Sequence, residues 1–267
     1  VRGATEALFS NATTAETTDA DGLTAFGGST GYTLGAGASG VNDSGESFVD
    51  WVWTEGADYG FDIVSYAGTG VAQTIVHSLG DVPEMMVVRG LDARAWTVYH
   101  KDLTSAAYSL QLQSTGAQNS DNTIFNSTAP TAAQFTVGTY NSINSVNYIA
   151  YLWRSVPGFS KFGYYIGNGS ADGPFVDLGF RARFVMIKRA DSTGSWFIYD
   201  VERSTFNEVD DQLLADTTAA ETTGSEEIDI LSSGIKIRTA DAGVNASSGR
   251  YIFAAFAEQP FPIANAR

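Results

Sequence analysis

The chain has 267 residues, no cysteine, and 30 Asp and Glu against 15 Lys and Arg, a formal charge of −15. Its length suffices for one large β domain or two ordinary ones with a well-buried core. The missing cysteines exclude a disulfide framework, thiolate metal sites and cysteine nucleophiles. The acidity makes nucleic acid and anionic membranes poor partners and leaves cationic or neutral ligands such as sugars; it serves solubility equally well. No apolar run has the length of a membrane span, so no membrane insertion is expected. The N-terminal "VRGATEALF" lacks signal-peptide architecture and an initiator Met, which suggests a processed or truncated chain. Small polar residues with Tyr, Phe, Trp and β-branched residues predict short strands joined by tight turns.

The chain repeats itself at intervals of about 100 residues. "VRGATEALFSNATTAETT" opens it and corresponds to "VERSTFNEVDDQLLADTTAAETT", with Val1 on Val201. "GYTLG" from Gly31, "QFTVG" from Gln134 and "GIKIR" from Gly234 each precede an Asn-rich turn. "SFVDWVW" (Ser47 to Trp53), "NYIAYLW" (Asn147 to Trp153) and "RYIFAAF" (Arg250 to Phe256) follow, so Trp53, Trp153 and Phe256 are equivalent. Apolar residues on both faces of "YIAYLW" suit a strand buried between layers.

The earlier part of the unit occurs twice. "SYAGTG" from Ser65 matches "YYIGNG" from Tyr164, and "EMMVVRG" from Glu84 matches "RFVMIKR" from Arg183, with Val88 placed on Lys188. "RAWTVYH" matches "GSWFIYD", pairing Trp96 with Trp196 and Tyr99 with Tyr199. The expected division is therefore the second half of a unit over 1–56 and full units over 57–158 and 159–267, with Pro157-Gly158 at the border. The missing half is expected upstream, in a longer modular protein. With six or seven strands per unit, the predicted fold is all-β: tandem β-sandwich modules, jelly-roll-like. Only Val201 to Ala215 could hold a helical turn or two. "SFVDWVW" is expected to behave as its relatives do, as a central strand needing cover by upstream chain, another copy or the first full unit.

"PGFSKFGYYIGNGSADGPFVDLGFRARFVMIKRADSTGSWFIYD", the N-x-S-G-x-Y-I-x-A pattern and "IFAAFAEQPF" resemble a family of virion proteins of marine tailed bacteriophages, commonly labelled tail fibre or tail protein. The resemblance covers essentially the whole chain. It implies a virion location on the external tail or capsid surface and offers no catalytic residues to carry over. Phage fibres are typically trimers, so it also implies a homotrimer, contacts with other virion proteins, and a host cell-surface glycan or protein as receptor. A capsid or tail decoration protein is the alternative, and a glycan-degrading tailspike a third reading.

The residues themselves point away from catalysis. A Ser-His-Asp triad needs a histidine beside a positioned serine. Only His77 and His100 exist, and His100 holds the place of Asp200 in the next unit. No H-E-x-x-H, P-loop or nucleophile elbow occurs. The acidic groups "EVDDQ" (Glu208 to Gln212) and "SEEID" (Ser225 to Asp229) read as solvated surface rather than a glycosidase pair. Asp172, Asp210 and Asp211 lack the spacing of a calcium loop, so no metal or other cofactor is expected. "YIGNGSADGPF" reads as a wide β turn, not a phosphate cradle. Trp53, Trp96, Trp153 and Trp196, with Tyr99, Tyr199 and Phe256, are expected in the repeat core. Trp51, whose equivalents are Tyr151 and Ala254, is the candidate ligand contact if exposed. Five N-x-S/T sequons, at Asn11, Asn42, Asn126, Asn168 and Asn245, follow from the turn composition.

Overall fold

Two sets of eight strands in the same order dominate a computed structural model of the chain, which describes residues 2–28, 31–36 and 40–259; Val1 lies outside them, and so do the last residues of "IFAAFAEQPF". Strand accounts for 40% and helix for 6%, so the protein is mostly β.

In the first full unit the strands are β5 (Phe61–Ala67), β6 (Gln73–Val76), β7 (Met85–Gly90), β8 (Thr97–His100), β9 (Tyr108–Gln111), β10 (Asn119–Ser120), β11 (Gln134–Val137) and β12 (Asn147–Trp153). In the second they are β13 (Ser160–Ile166), β14 (Phe175–Asp177), β15 (Ala182–Arg189), β16 (Trp196–Asp200), β17 (Val209–Leu214), β18 (Thr222–Leu231), β19 (Gly234–Ile237) and β20 (Arg250–Ala257). Each unit thus has eight strands where six or seven were predicted. The second unit's eight form one antiparallel sheet, β13-β20-β15-β16-β17-β18-β19-β14, nearly closed and barrel-like. The first unit's follow the same order as separate sheets, β5-β12-β7-β8-β9-β10 and β11-β6. The break has a local cause. After the two-residue β10, the Asp121 carboxylate caps the Thr123 N–H and starts a short helix, α1 (Asn122–Phe125), where the second unit runs into its ten-residue β18.

The repeat is visible in register. Met85 faces His100 and Met86 faces Tyr99; Phe184 faces Asp200 and Val185 faces Tyr199. This pairing equates Val88 with Ile187 and Arg89 with Lys188, correcting the placement of Val88 on Lys188. The distinction matters because a one-residue slip moves a side chain to the opposite face of the sheet.

The central sheets are covered on both faces. Met86, Val88, Tyr148 and Leu152 point into the first unit's own core, with Phe135 and Phe125. Val185, Ile187, Tyr251 and Phe253 do the same in the second, with Ile228 and Ile235. The intervening residues meet between units: Met85, Val87, Trp96 and Leu110 pack with Phe162, Trp196, Ile252 and Ala254. This inter-unit layer explains why "YIAYLW" is apolar on both sides.

The described residues of 2–56 contribute only short pairs, β1 (Glu6–Ala7) with β2 (Thr17–Thr18) and β3 (Leu23–Phe26) with β4 (Tyr32–Leu34). Ser47 to Trp53 form no strand, which corrects the expectation for that stretch. Their counterparts β12 and β20 are central because β5 and β7, or β13 and β15, flank them. Among the described residues of 2–56 there are no such neighbours, so this stretch has no ladder there to join.

The expected helical turn is also corrected. From Val209 to Leu214 the chain is β17, with Val209 and Gln212 buried and their neighbours half-buried. That spacing of three imitates a helical face; a register shift between Val209 and Asp211 produces it within a strand. In the "EVDDQ" group Glu208 is exposed, as expected for a solvated surface, whereas Asp210 and Asp211 are half-buried and Val209 and Gln212 buried; the side chains of Ser225 and Glu226 in "SEEID" lie outside the description.

Candidate functional site: an aromatic cavity between units

The inter-unit layer holds a cavity of about 490 Å³. Met85, Val87 and Trp153 line it from the first unit, Phe184, Met186 and Phe256 from the second, and Trp51 and Trp53 from the N-terminal half unit. The rings meet edge to face. Trp53 lies 6.4 Å from Trp153, 5.7 Å from Phe184 and 5.5 Å from Phe256, and Trp51 lies 5.3 Å from Phe184. Such pairs add attraction to simple burial.

Trp96, Trp196, Tyr99 and Tyr199 are buried, whereas Trp53, Trp153 and Phe256 are half-buried around the cavity. Trp51, the candidate ligand contact, is half-buried too and lines the cavity. Sequence reasoning singled out Trp51 by its departure from Tyr151 and Ala254. It missed that four of the five tryptophans share one cavity, because that follows from unit packing rather than spacing.

Two buried cations stand beside the buried tryptophans. The Arg89 guanidinium lies 5.5 Å from the Trp96 ring and the Lys188 ammonium 6.0 Å from that of Trp196. Burial pushes the Lys188 ammonium down to about 8, against the nearby Asp216 carboxylate. Burial also lowers Arg89. The Lys188 ammonium donates to the carbonyls of Thr115, Gly116 and Arg189. Arg89 donates to the Thr14 carbonyl, while its Nε and Nη1 are buried without partners among the described residues.

Neither histidine is arranged as a base. His100 is fully buried; its Nδ1 accepts the Asp102 N–H at 3.2 Å and its Nε2–H donates to the Phe253 carbonyl at 3.3 Å. Burial, partly offset by Asp102, pushes the ring down to about 4. The Asp200 carboxylate does the same local job, accepting the N–H groups of Glu202 and Arg203. That shared role explains a position filled by either His or Asp. His77 accepts from the Leu79 N–H and donates to the Thr131 carbonyl.

The remaining candidates are structural in their contacts. Asp211 accepts from the Ser204 and Thr223 hydroxyls, and Asp172 pairs with Lys236. Among the described residues, no three His, Asp or Glu side chains converge as metal ligands. The Gly-rich turn is held by the buried Asn245, whose Oδ1 accepts the Asn168 N–H and whose amide donates to Ser170 and Thr239 carbonyls. Gly167 in that turn, and its equivalent Gly68, approach the carbonyls of Ala246 and Ile143 so closely that a Cβ would collide. No helix among the described residues is long and apolar enough to cross a membrane.

Fold and site thus define a β repeat protein whose units meet through an aromatic layer. Across residues 1–260 the chain matches the family described as "Domain of unknown function (DUF7483)", and it belongs to that family. No curated protein and no solved structure matches it.

Proposed function

We propose that this chain is a non-enzymatic structural protein of a bacteriophage virion, the C-terminal part of a tail fibre that contacts the host surface. In this reading its units are tandem β-sandwich, jelly-roll-like modules. The observation that carries the structural role is the use made of the polar side chains. Both histidines, Asp200, Asp216 and Asn245 hold backbone groups of turns or strand ends, and the large cavity is walled almost wholly by hydrocarbon. Neither offers the positioned acid, base or nucleophile that catalysis requires. The resemblance to phage tail proteins supplies the virion location.

Host recognition then falls to surface loops over a rigid scaffold, with weak glycan or protein contacts multiplied by valency in a homotrimer. Antibody labelling of purified virions tests the position: label at the fibre tip supports adhesion, and label spread over the capsid or tail tube replaces it with the decoration role. Release of reducing sugar from host polysaccharide, abolished by a single carboxylate substitution, would replace both with a tailspike hydrolase.

A further inference from the structure

The two inter-unit junctions share three matching bonds. The Trp96 indole of the first unit donates to the Phe9 carbonyl of the half unit at 2.8 Å. The Trp196 indole of the second donates to the Gln111 carbonyl of the first at 3.0 Å. Phe9 and Gln111 are equivalent, each accepting a turn bond from the residue three further on, Ala12 and Ser114, at 3.2 Å. The cations repeat the step: Arg89 donates to Thr14 and Lys188 to Gly116. So does the backbone: the Glu16 N–H donates to Leu91 at 3.0 Å and the Gln118 N–H to Ala190 at 2.8 Å. Each unit therefore inserts a cation and a tryptophan, carried on one β-hairpin, into a fixed seat on the unit before it.

The second unit carries the same seat. Register places Leu213 and Leu214 where Leu110 and Gln111 stand, opposite Ile198 and Phe197 as those are opposite Val98 and Thr97. The Leu214 carbonyl has the matching turn bond, from the Thr217 N–H at 3.5 Å. Continuing along the chain, Ala219 falls at the position of Thr14 and Gly116, and Glu221 at that of Glu16 and Gln118. Among the described residues no indole reaches Leu214. Leu213, Leu214 and Ala219 instead line the cavity. The half unit is marked in a complementary way. Gln113 and Asp216 accept the backbone N–H of Trp96 and Trp196, each within its own unit. Asn11 occupies that position in the half unit, where the described residues of 2–56 hold no tryptophan-bearing hairpin to serve.

Head-to-tail contacts of one kind close into a ring when the rotation between units allows. Here the half unit already touches the second unit, through the Ser10 hydroxyl on the Ala215 carbonyl and through Trp51 and Trp53 on Phe184. We propose that the cavity is the seat of a third β-hairpin of this same repeat, bearing a cation on its first strand and a tryptophan at the start of its second, supplied by polypeptide outside residues 1–267. Its indole donates to Leu214, its cation to Ala219, and its tryptophan N–H to Asn11. Its strands pair with Ser47 to Trp53, which become the central strand that β12 and β20 are. This inference stands independently of the virion reading.

The test fuses a second copy of residues 159–200 to the N-terminus of the 267-residue chain and compares it with the unfused chain. Nile red probes the cavity. The unfused chain is expected to bind the dye, and the fused chain to lose that binding at least about tenfold while its thermal midpoint rises by roughly 5 °C. Trp196→Ala in the added copy alone should reverse both changes. The proposal is overturned if dye binding and midpoint are unaltered by fusion, if the added copy is digested by protease while the remainder stays intact, or if the unfused chain dimerises and thereby excludes the dye.

Discussion

The indole of Trp196 donates to the main-chain carbonyl of Gln111, 85 residues earlier and in the preceding unit. One side chain thus fills the inter-unit layer and fixes the orientation of one unit on the next. Trp196→Ala should cost roughly 3–5 kcal/mol, as expected for removing a buried indole. Trp196→Phe keeps most of the volume but leaves the Gln111 carbonyl without its indole donor, and should cost less. Thermal denaturation of the two variants measures this. An unchanged midpoint for the alanine variant would show that the layer does not hold the units together.

His100 makes stability pH-dependent. Its ring titrates near 4 when folded against roughly 6.5 in an unfolded chain. A folded value below the unfolded one means that the unfolded chain binds the extra proton first. The contribution is therefore fully present above about pH 6.5 and is lost as pH falls towards 4, on the order of 3 kcal/mol across the window. Protonation at Nδ1 would set a new N–H against the Asp102 N–H. His100→Asn keeps an acceptor for that N–H, as Asp200 does in the second unit, and should flatten the denaturation-versus-pH curve between 4 and 6.5. An unaltered slope would assign the acid sensitivity to other groups.

Arg89 and Lys188 occupy one position with different satisfaction. Lys188 places all three donors on carbonyls, whereas Arg89 buries two nitrogens without partners among the described residues. Arg89→Lys should thus be tolerated within about 1 kcal/mol, since it removes unsatisfied donors and keeps a cation near the Thr14 carbonyl. Lys188→Ala strands three carbonyls and should cost roughly 2–3 kcal/mol. Urea titrations of both variants give the comparison; an Arg89→Lys loss as large as that of Lys188→Ala would contradict the equivalence.

What the sequence disclosed followed from local chemistry. "FVMIKR" and "WFIYD" are strands because β-branched and aromatic residues suit a pleated, packed surface. Gly167 marks a close backbone approach, and Trp96 and Trp196 recur because the same hole recurs. Relations between units were hidden. Nothing local in "SFVDWVW" reveals that strand formation depends on partners from elsewhere in a unit. Nor does "EVDDQLL" disclose the register shift that gives it a helix-like burial pattern. The Phe9 and Gln111 carbonyls are main-chain acceptors, so side-chain identity carries no trace of them. Arg89 and Lys188 were legible in principle as aligned cations before aligned tryptophans, but the one-residue misplacement of Val88 on Lys188 concealed the pair.

Trp53 gives the sharpest test of how the half unit is held. Ser47 to Trp53 have no ladder, so their attachment rests on side chains, and Trp53 contacts Trp153, Phe184 and Phe256 at once. It is only half-buried, so Trp53→Ala should cost less than Trp196→Ala, roughly 2 kcal/mol against 3–5. The effect should also be local. The units over 57–158 and 159–259 keep their own cores and their shared layer, so their cooperative transition should move little. The segment around residues 40–56 should instead open more often and become the first site of cleavage in limited proteolysis. Adding Trp51→Ala removes the other indole on Phe184, leaving only the Phe256 ring against it, and should accelerate that cleavage further. Equal protease resistance in wild type and both variants would mean that backbone contacts of residues 2–28, such as Glu16 on Leu91, hold the half unit without help from the tryptophans.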